Sequence, residues 1–176
     1  MNKLCVYSIS QVPKNYTGFV EDVEANHSWW VNGRYHRKDG PAIEWIDGGK
    51  EWYHHGKLHR LDGPAVIWAD GSKVWYKNGK EHRADGPAYE GYDGTLEWWV
   101  NGIYHREDGP AYFEPRGTRI WYLKDKMIYR MESPLGDYLT IEDGLPSTLE
   151  WLGRRVTQRK ILTAEGLMFI PNLPGI

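Results

Sequence analysis

The sequence has one cysteine, Cys5, only three phenylalanines, and no apolar run approaching the roughly 18 residues that a membrane-spanning helix needs. A lone cysteine excludes an intramolecular disulfide and leaves a fold that does not depend on an oxidising compartment. Cys5 reads as a small hydrophobe in an N-terminal strand. Charge of one sign is missing as well: 22 Lys+Arg against 24 Asp+Glu give a formal net charge of −2. There is accordingly no general basic field of the kind that holds nucleic acid. Residues 1 to 8 lack the apolar core of a signal peptide, so a cytoplasmic location is expected. The sequon Asn15-Tyr16-Thr17 carries no meaning without secretion. Catalytic signatures are missing too. There is no Gly-x-Ser-x-Gly elbow, no Cys–His arrangement around Cys5 and no glycine-rich phosphate loop opening a helix. No enzyme and no cofactor are expected.

What is abundant is tryptophan and tyrosine, 10 and 12 residues, rings that bury a flat face while keeping a polar handle. They stand at fixed intervals. Trp29-Trp30, Trp52-Tyr53, Trp75-Tyr76, Trp98-Trp99 and Trp121-Tyr122 recur every 23 residues, as do His36-Arg37, His59-Arg60, His82-Arg83 and His105-Arg106. A period of this size marks an array of stacked units, each of which needs its neighbours to bury its own face.

Within a unit the order is an aromatic pair, Asn-Gly (His55-Gly56 in the second unit), His-Arg-x-Asp-Gly-Pro-Ala, a short apolar segment and Asp-Gly. Asn-Gly and Asp-Gly suit tight turns that require positive φ, so strands are expected between them. One strand carries the aromatic pair (73 to 77 in the third unit) and the other follows the proline (65 to 69, 88 to 92). Asp-Gly is expected to close the hairpin, with the stretch from Asn-Gly to Gly-Pro as a longer loop at the opposite edge. The constant first tryptophan is the core candidate, and Ile43, Val66, Tyr89 and Tyr112, with Trp45 and Trp68 two residues on, are expected to share its face.

The expected architecture is mainly β: an elongated antiparallel β-ribbon or solenoid of 23-residue hairpin repeats with N- and C-terminal caps. Residues 1 to 27 form the N-terminal cap, with a strand from 3 to 9. Residues 28 to 130 hold four full repeats and one degenerate repeat, which lacks both the Asn-Gly turn and the His-Arg loop. Residues 131 to 176 form the C-terminal cap. There Ser147-Thr148-Leu149-Glu150 fits a capping box, and Leu149, Leu152 and Val156 suggest a short helix from about 148 to 160, which Gly153 weakens. Residues 161 to 170 suit a closing hairpin around Glu165-Gly166.

The best copy, Trp75-Tyr76-Lys77-Asn78-Gly79-Lys80-Glu81-His82 with its closing Asp93-Gly94, resembles the MORN repeat family over residues 28 to 125. Two departures stand out: the family's His-Gly-x-Gly is replaced by His-Arg-x-Asp-Gly-Pro, and the glycine of the aromatic strand is absent. The chain looks like the divergent branch found in bacteria, bacteriophages and large viruses. That resemblance implies an antiparallel β-ribbon that binds proteins, lipid binding in some members, the host cytoplasm for a viral member, and no active site to transfer.

The partner-binding candidates are the second aromatics, Trp30, Tyr53, Tyr76, Trp99 and Tyr122, since a contiguous aromatic stripe in solvent marks an interface. A twin subunit or the caps covering the stripe is the alternative to a foreign partner. The rows His36, His59, His82, His105 and Arg37, Arg60, Arg83, Arg106 are candidates for holding a nucleotide or another phosphorylated small molecule. The plainer account is that each Arg pairs with the Asp two residues on, while each His donates to a backbone carbonyl and builds the loop. His54-His55 lies close to His59, but the spacing is not that of a dedicated metal site, and no metal is expected. Glu44, Glu51, Glu90 and Glu97 read as solvated strand positions. Arg154-Arg155 with Arg159-Lys160 reads as a solvated face or a contact for an acidic partner. The first functional expectation is therefore a non-enzymatic interaction module, of the inhibitor or antidote kind. A ligand-sequestering protein comes second and a peripheral membrane protein third, the last disfavoured by the near-neutral charge.

Overall fold

The computed structural model describes residues 2–131, 150–151, 154–155, 158–163 and 166–171, with side chains as far as residue 127. It is mainly β, and the described residues include no α-helix, only a 3-10 turn at Ile9–Gln11. No helix among them is long and apolar enough to cross a membrane.

A 13-stranded sheet runs through the repeats. Lys3–Val6 opens it, paired in parallel with Gly18–Asp22, which pairs antiparallel with His27–Val31. From there the sheet is an antiparallel meander through Ile43–Glu44, Lys50–Glu51, Val66–Ile67, Lys73–Val74, Tyr89–Glu90, Leu96–Glu97, Tyr112–Phe113, Arg119–Leu123 and Lys126–Met131. Each unit also has a second hairpin, where the spacing predicts only a long loop. Tyr53–His54 pairs with Lys57–Leu58, Tyr76–Lys77 with Lys80–Glu81, and Trp99–Val100 with Ile103–Tyr104, each across a two-residue turn. Both turn residues have positive φ, 55° at Asn78 and 80° at Gly79, the conformation that makes Asn-Gly the favoured pair. Unit five keeps this turn after losing its usual residues. Lys124 and Asp125 adopt φ 51° and 66° there.

The Asp-Gly connection sets which residues face which way. Trp45 and Gly49 bracket a loop in which the Gly48 N–H donates to the Trp45 carbonyl and the Trp45 N–H to the Gly49 carbonyl. Gly48 has φ 95°, and the Asp47 carboxylate accepts from the Gly49 N–H at 2.8 Å. This three-residue loop carries one residue more than a two-residue hairpin, so Glu44 pairs with Lys50 and Ile43 with Glu51. A one-residue slip turns every side chain to the other face. The expected grouping is thereby corrected: Ile43, Val66, Tyr89 and Tyr112 do not share the face of the first tryptophans.

Cross-strand partners lie on one side of a sheet. The row Ser28, Ile43, Glu51, Val66, Val74, Tyr89, Glu97, Tyr112, Ile120 is continuous by pairing. Two residues beyond it on the same side come Trp30, Tyr53, Tyr76, Trp99 and Tyr122; we call this the tyrosine face. The alternate row, with Glu44, Lys50, Lys73 and Glu90, belongs with Trp29, Trp52, Trp75 and Trp98 on the arginine face.

The strand breaks at Trp52, Trp75 and Trp98, and there, as at Trp29, the tryptophan N–H donates to the alanine carbonyl of its unit (Trp75 to Ala88 at 2.7 Å) while its carbonyl accepts from the histidine N–H (His82 at 3.0 Å). Ala42, Ala65, Ala88 and Ala111 are fully buried, leaving no room for a larger side chain. With Ile43, Val66, Val74 and Trp121 they form the core strip.

The helix expected over about 148 to 160 is corrected as well. Glu150–Trp151 pairs with Arg154–Arg155, and Gln158–Thr163 pairs with Gly166–Pro171. Glycine at position 153 and the β-branched residues at 156 and 157 all lower helix propensity. The second hairpin reverses between Thr163 and Gly166, where Glu165-Gly166 had suggested it. The remainder of the C-terminal cap lies outside the described residues.

Candidate functional site

On the arginine face the repeated motif is a clasp. Each guanidinium lies over the first tryptophan of its own unit, with its carbon 3.8 Å from the ring centroid for Arg37 on Trp29, 4.1 Å for Arg60 on Trp52, 4.0 Å for Arg83 on Trp75 and 3.8 Å for Arg106 on Trp98. Its other side meets the glycine of Asp-Gly-Pro, where a Cβ at Gly86 would stand 2.9 Å from the Arg83 guanidinium carbon. Nη1 donates to the proline carbonyl in all four of these units, at 3.1 to 3.3 Å. Nε donates to the following aspartate in Arg60, Arg83 and Arg106. Those hydrogen bonds hold the Asp62, Asp85 and Asp108 carboxyls below the ordinary carboxylate range. Arg37 and Arg83 also reach Glu44 and Glu90, at 3.1 and 2.7 Å. The His-Arg-x-Asp-Gly-Pro-Ala loop thus packs a cation between an indole and a bare backbone, using Arg donors that a phosphate would otherwise take.

The histidines form a different connection from the one expected. His36, His59, His82 and His105 accept through Nδ1 from the backbone N–H of His55, Asn78, Asn101 and Lys124, each 19 residues on, at 3.1, 3.0, 3.2 and 3.3 Å. Each imidazole therefore staples the turn of the next unit to its own. An accepting Nδ1 requires a ring without a proton there. Burial holds His36 and His59 below the ordinary histidine range, with neighbouring cationic and histidine groups adding to it. In front of the first unit Thr17 takes the histidine's place, its Oγ1 accepting from the Asn32 N–H at 2.9 Å.

The tyrosine face holds the expected partner-binding column, half-buried instead of fully open. Trp30 packs on Tyr35, and Tyr35 on Tyr53, with ring centroids 4.1 and 5.2 Å apart. Trp99, Tyr104 and Tyr122 form a second run at 3.6 and 4.7 Å. Carboxylates expected in open solvent sit among these rings. Glu51 accepts from the Tyr53 hydroxyl at 2.8 Å and from Trp45 Nε1 at 3.0 Å. Glu97 accepts from Trp99 Nε1 at 2.8 Å and the Tyr104 hydroxyl at 2.7 Å. Glu81 accepts from the Tyr76 hydroxyl at 3.2 Å. Burial, then the adjacent carboxylates, raise these phenols; Tyr76 is pushed up to about 12, and Tyr53 and Tyr104 also rise. Burial also raises Glu81, with the Glu97 charge adding and the Tyr76 hydrogen bond opposing. Three carboxylates and a run of aromatic rings thus share a face on which neither the paired row nor the second aromatic column contains a lysine or arginine.

Sequence reading missed Trp45, Ile46, Trp68 and Tyr92 as surface residues. All four are exposed beside the Asp-Gly turns, Ile46 and Tyr92 at 69% and 73%. Their signal is the departure from the polar residues usual in turns, masked because strand alternation places Trp45 and Trp68 on the expected core face. No protein-family model and no curated protein matches this chain.

Proposed function

We propose that this is a non-enzymatic, MORN-like interaction module that binds a partner protein through its tyrosine face, in the manner of an inhibitor or antidote that occupies the partner's surface. The observation that carries this reading is the joint placement of Glu51, Glu81 and Glu97 among Trp30, Tyr53, Tyr76, Trp99 and Tyr104. Aromatic faces and carboxylates both attract cations. The partner segment is accordingly one that presents lysine or arginine, flanked by apolar groups for Trp45 and Trp68. Titration of the full chain with a Lys/Arg-rich peptide and with a Glu-rich control, followed by tryptophan fluorescence, tests it. Saturable binding of the basic peptide that weakens with salt and with the double variant Glu51→Gln/Glu97→Gln is expected. Equal binding of the two peptides, or none, overturns the reading.

A second reading has its own observation. A cleft of about 680 Å³ is lined by Arg60, Arg83, Lys77 and His82, along with Asp62 and Asp85; with each Arg closed on the Asp of its own loop, Lys77 is the cation it offers to an anionic small molecule such as a nucleotide. Thermal shift against a nucleotide panel tests it, because a ligand at 100 times its dissociation constant adds about 2.7 kcal/mol. A flat panel sets this reading aside.

A further inference from the structure

Unit two departs from its sisters at two adjacent positions. His54 stands where the others carry Val31, Lys77, Val100 and Leu123, and His55 where three of them carry Asn32, Asn78 and Asn101. The fold does not ask for either histidine. His55 has φ 51° at the first turn position, where asparagine is the favoured residue, and His54 is exposed. What the two changes do is bring both rings against the staple histidine of the preceding unit. His36 lies 5.0 Å from His54 and 4.3 Å from His55, and those two are 4.4 Å apart, centroid to centroid. One ring nitrogen from each of the three lies within 4.8 Å of the others.

We propose that His36, His54 and His55 form a site for a divalent transition-metal ion of the zinc class. Neutral imidazoles are the ligands that suit Zn²⁺, Ni²⁺ and Cu²⁺. Zinc–nitrogen bonds of about 2.0–2.1 Å in tetrahedral geometry place ligand nitrogens roughly 3.3 Å apart, so the three must draw together by on the order of 1 Å. His36 is buried and fixed, while His54 and His55 are exposed and can rotate to meet it. Three histidines leave a fourth position for water or for an anion, which the nearby Arg37 and Lys38 favour.

Metal binding is coupled to the array. His36 Nδ1 accepts from the His55 N–H at 3.1 Å, and a ring that coordinates through Nε2 must carry its proton on Nδ1. Coordination through Nδ1 displaces the same hydrogen bond. Either way the ion is bound at the expense of the staple between units one and two, and the His55 amide loses its acceptor.

The test is calorimetric titration of the full chain with Zn²⁺ at neutral pH, alongside His54→Lys, His55→Asn and the double variant. Each variant installs a residue that a sister unit already carries, and circular dichroism verifies that the fold is retained. One ion per chain is expected, with each single variant weakening affinity at least about tenfold, since loss of even an outer-shell partner has an effect of that size. Zinc should also accelerate hydrogen exchange at the His55 amide and shift the ring resonances of His36, His54 and His55 in the unmodified chain. Absence of binding, binding unchanged in the double variant, or shifts at His82 and His105 instead would overturn the assignment.

Discussion

Replacing Arg83 by alanine removes three interactions whose sizes the geometry constrains. The guanidinium sits 4.0 Å from the Trp75 centroid with its side chain 22% exposed, between the open and desolvated limits of a cation–π contact, so about 1 kcal/mol is lost there. The bond from Nη1 to the Pro87 carbonyl at 3.2 Å contributes about 1 kcal/mol. Glu90, at 2.7 Å but 33% exposed, adds about 0.5 kcal/mol. The exposed Asp85 is left out of the sum. Arg83→Ala should thus destabilise the array by about 2.5 kcal/mol, roughly 60-fold in the unfolding equilibrium. Unit two provides an internal comparison, because Ile67 stands where unit three has Glu90, so Arg60→Ala should be milder by about 0.5 kcal/mol. Arg83→Lys keeps the charge but loses the flat stack, and should fall between alanine and the parent. Urea unfolding is the assay, read by tryptophan fluorescence and by circular dichroism. Coincidence of the two curves establishes that the units unfold together. The reasoning fails if Arg83→Ala lies within about 0.5 kcal/mol of the parent, since a surface pair of no structural consequence gives that value.

Three further outcomes follow from the same geometry. Gly86→Ala should approach the loss seen for Arg83→Ala and should not add to it in the double variant, because the new methyl group acts by pushing the guanidinium off Trp75; a double-mutant cycle in urea checks this. His82→Ala should release the Asn101 N–H at a loss of about 1 kcal/mol, with hydrogen exchange rising at Asn101 and holding at Asn78, whose acceptor is His59. Glu81→Leu, which installs the residue of unit two, should stabilise the protein at pH 7. Burial raises Glu81 in the folded state above its ordinary 4.5, so the fold favours the protonated form. That contribution is fully present below the ordinary value and is lost as pH rises through the raised one. The variant's advantage should therefore appear on the neutral side and vanish below about pH 4, as thermal unfolding across pH will report.

The period, the strands flanking Asp-Gly and the two turns were legible because each repeats a local rule, whereas the strand that follows Asn-Gly, Lys80–Glu81 in unit three, was not. Asn78, Gly79 and Gly94 have positive φ, and alternation around these turns marks strands. Register was not legible. Whether Asp47-Gly48 sits in a two- or a three-residue loop is decided by one backbone hydrogen bond, and that bond moved Ile43 and Val66 from one face to the other. The motif's chemistry was half legible. The pairing of Arg with the nearby Asp is local, whereas the reach of His59 to the Asn78 amide spans 19 residues and depends on how units stack. For the same reason His36 was absent from any metal reading of His54-His55. Stacking, not spacing along the chain, brings it there.

The staple between units has a consequence for how such a chain changes length. Each of the first four units offers an acceptor to the turn that follows, and each turn takes one from the segment before, with Thr17 supplying the first. A duplicated stretch of 23 residues inserted between two units would find both ends of that exchange already in place. Each copy would lengthen the sheet by two strands, about 10 Å. The protein is in this sense a ruler graduated in single copies, and duplication or deletion of one copy would reset the length of both sheet faces without any new packing problem to solve.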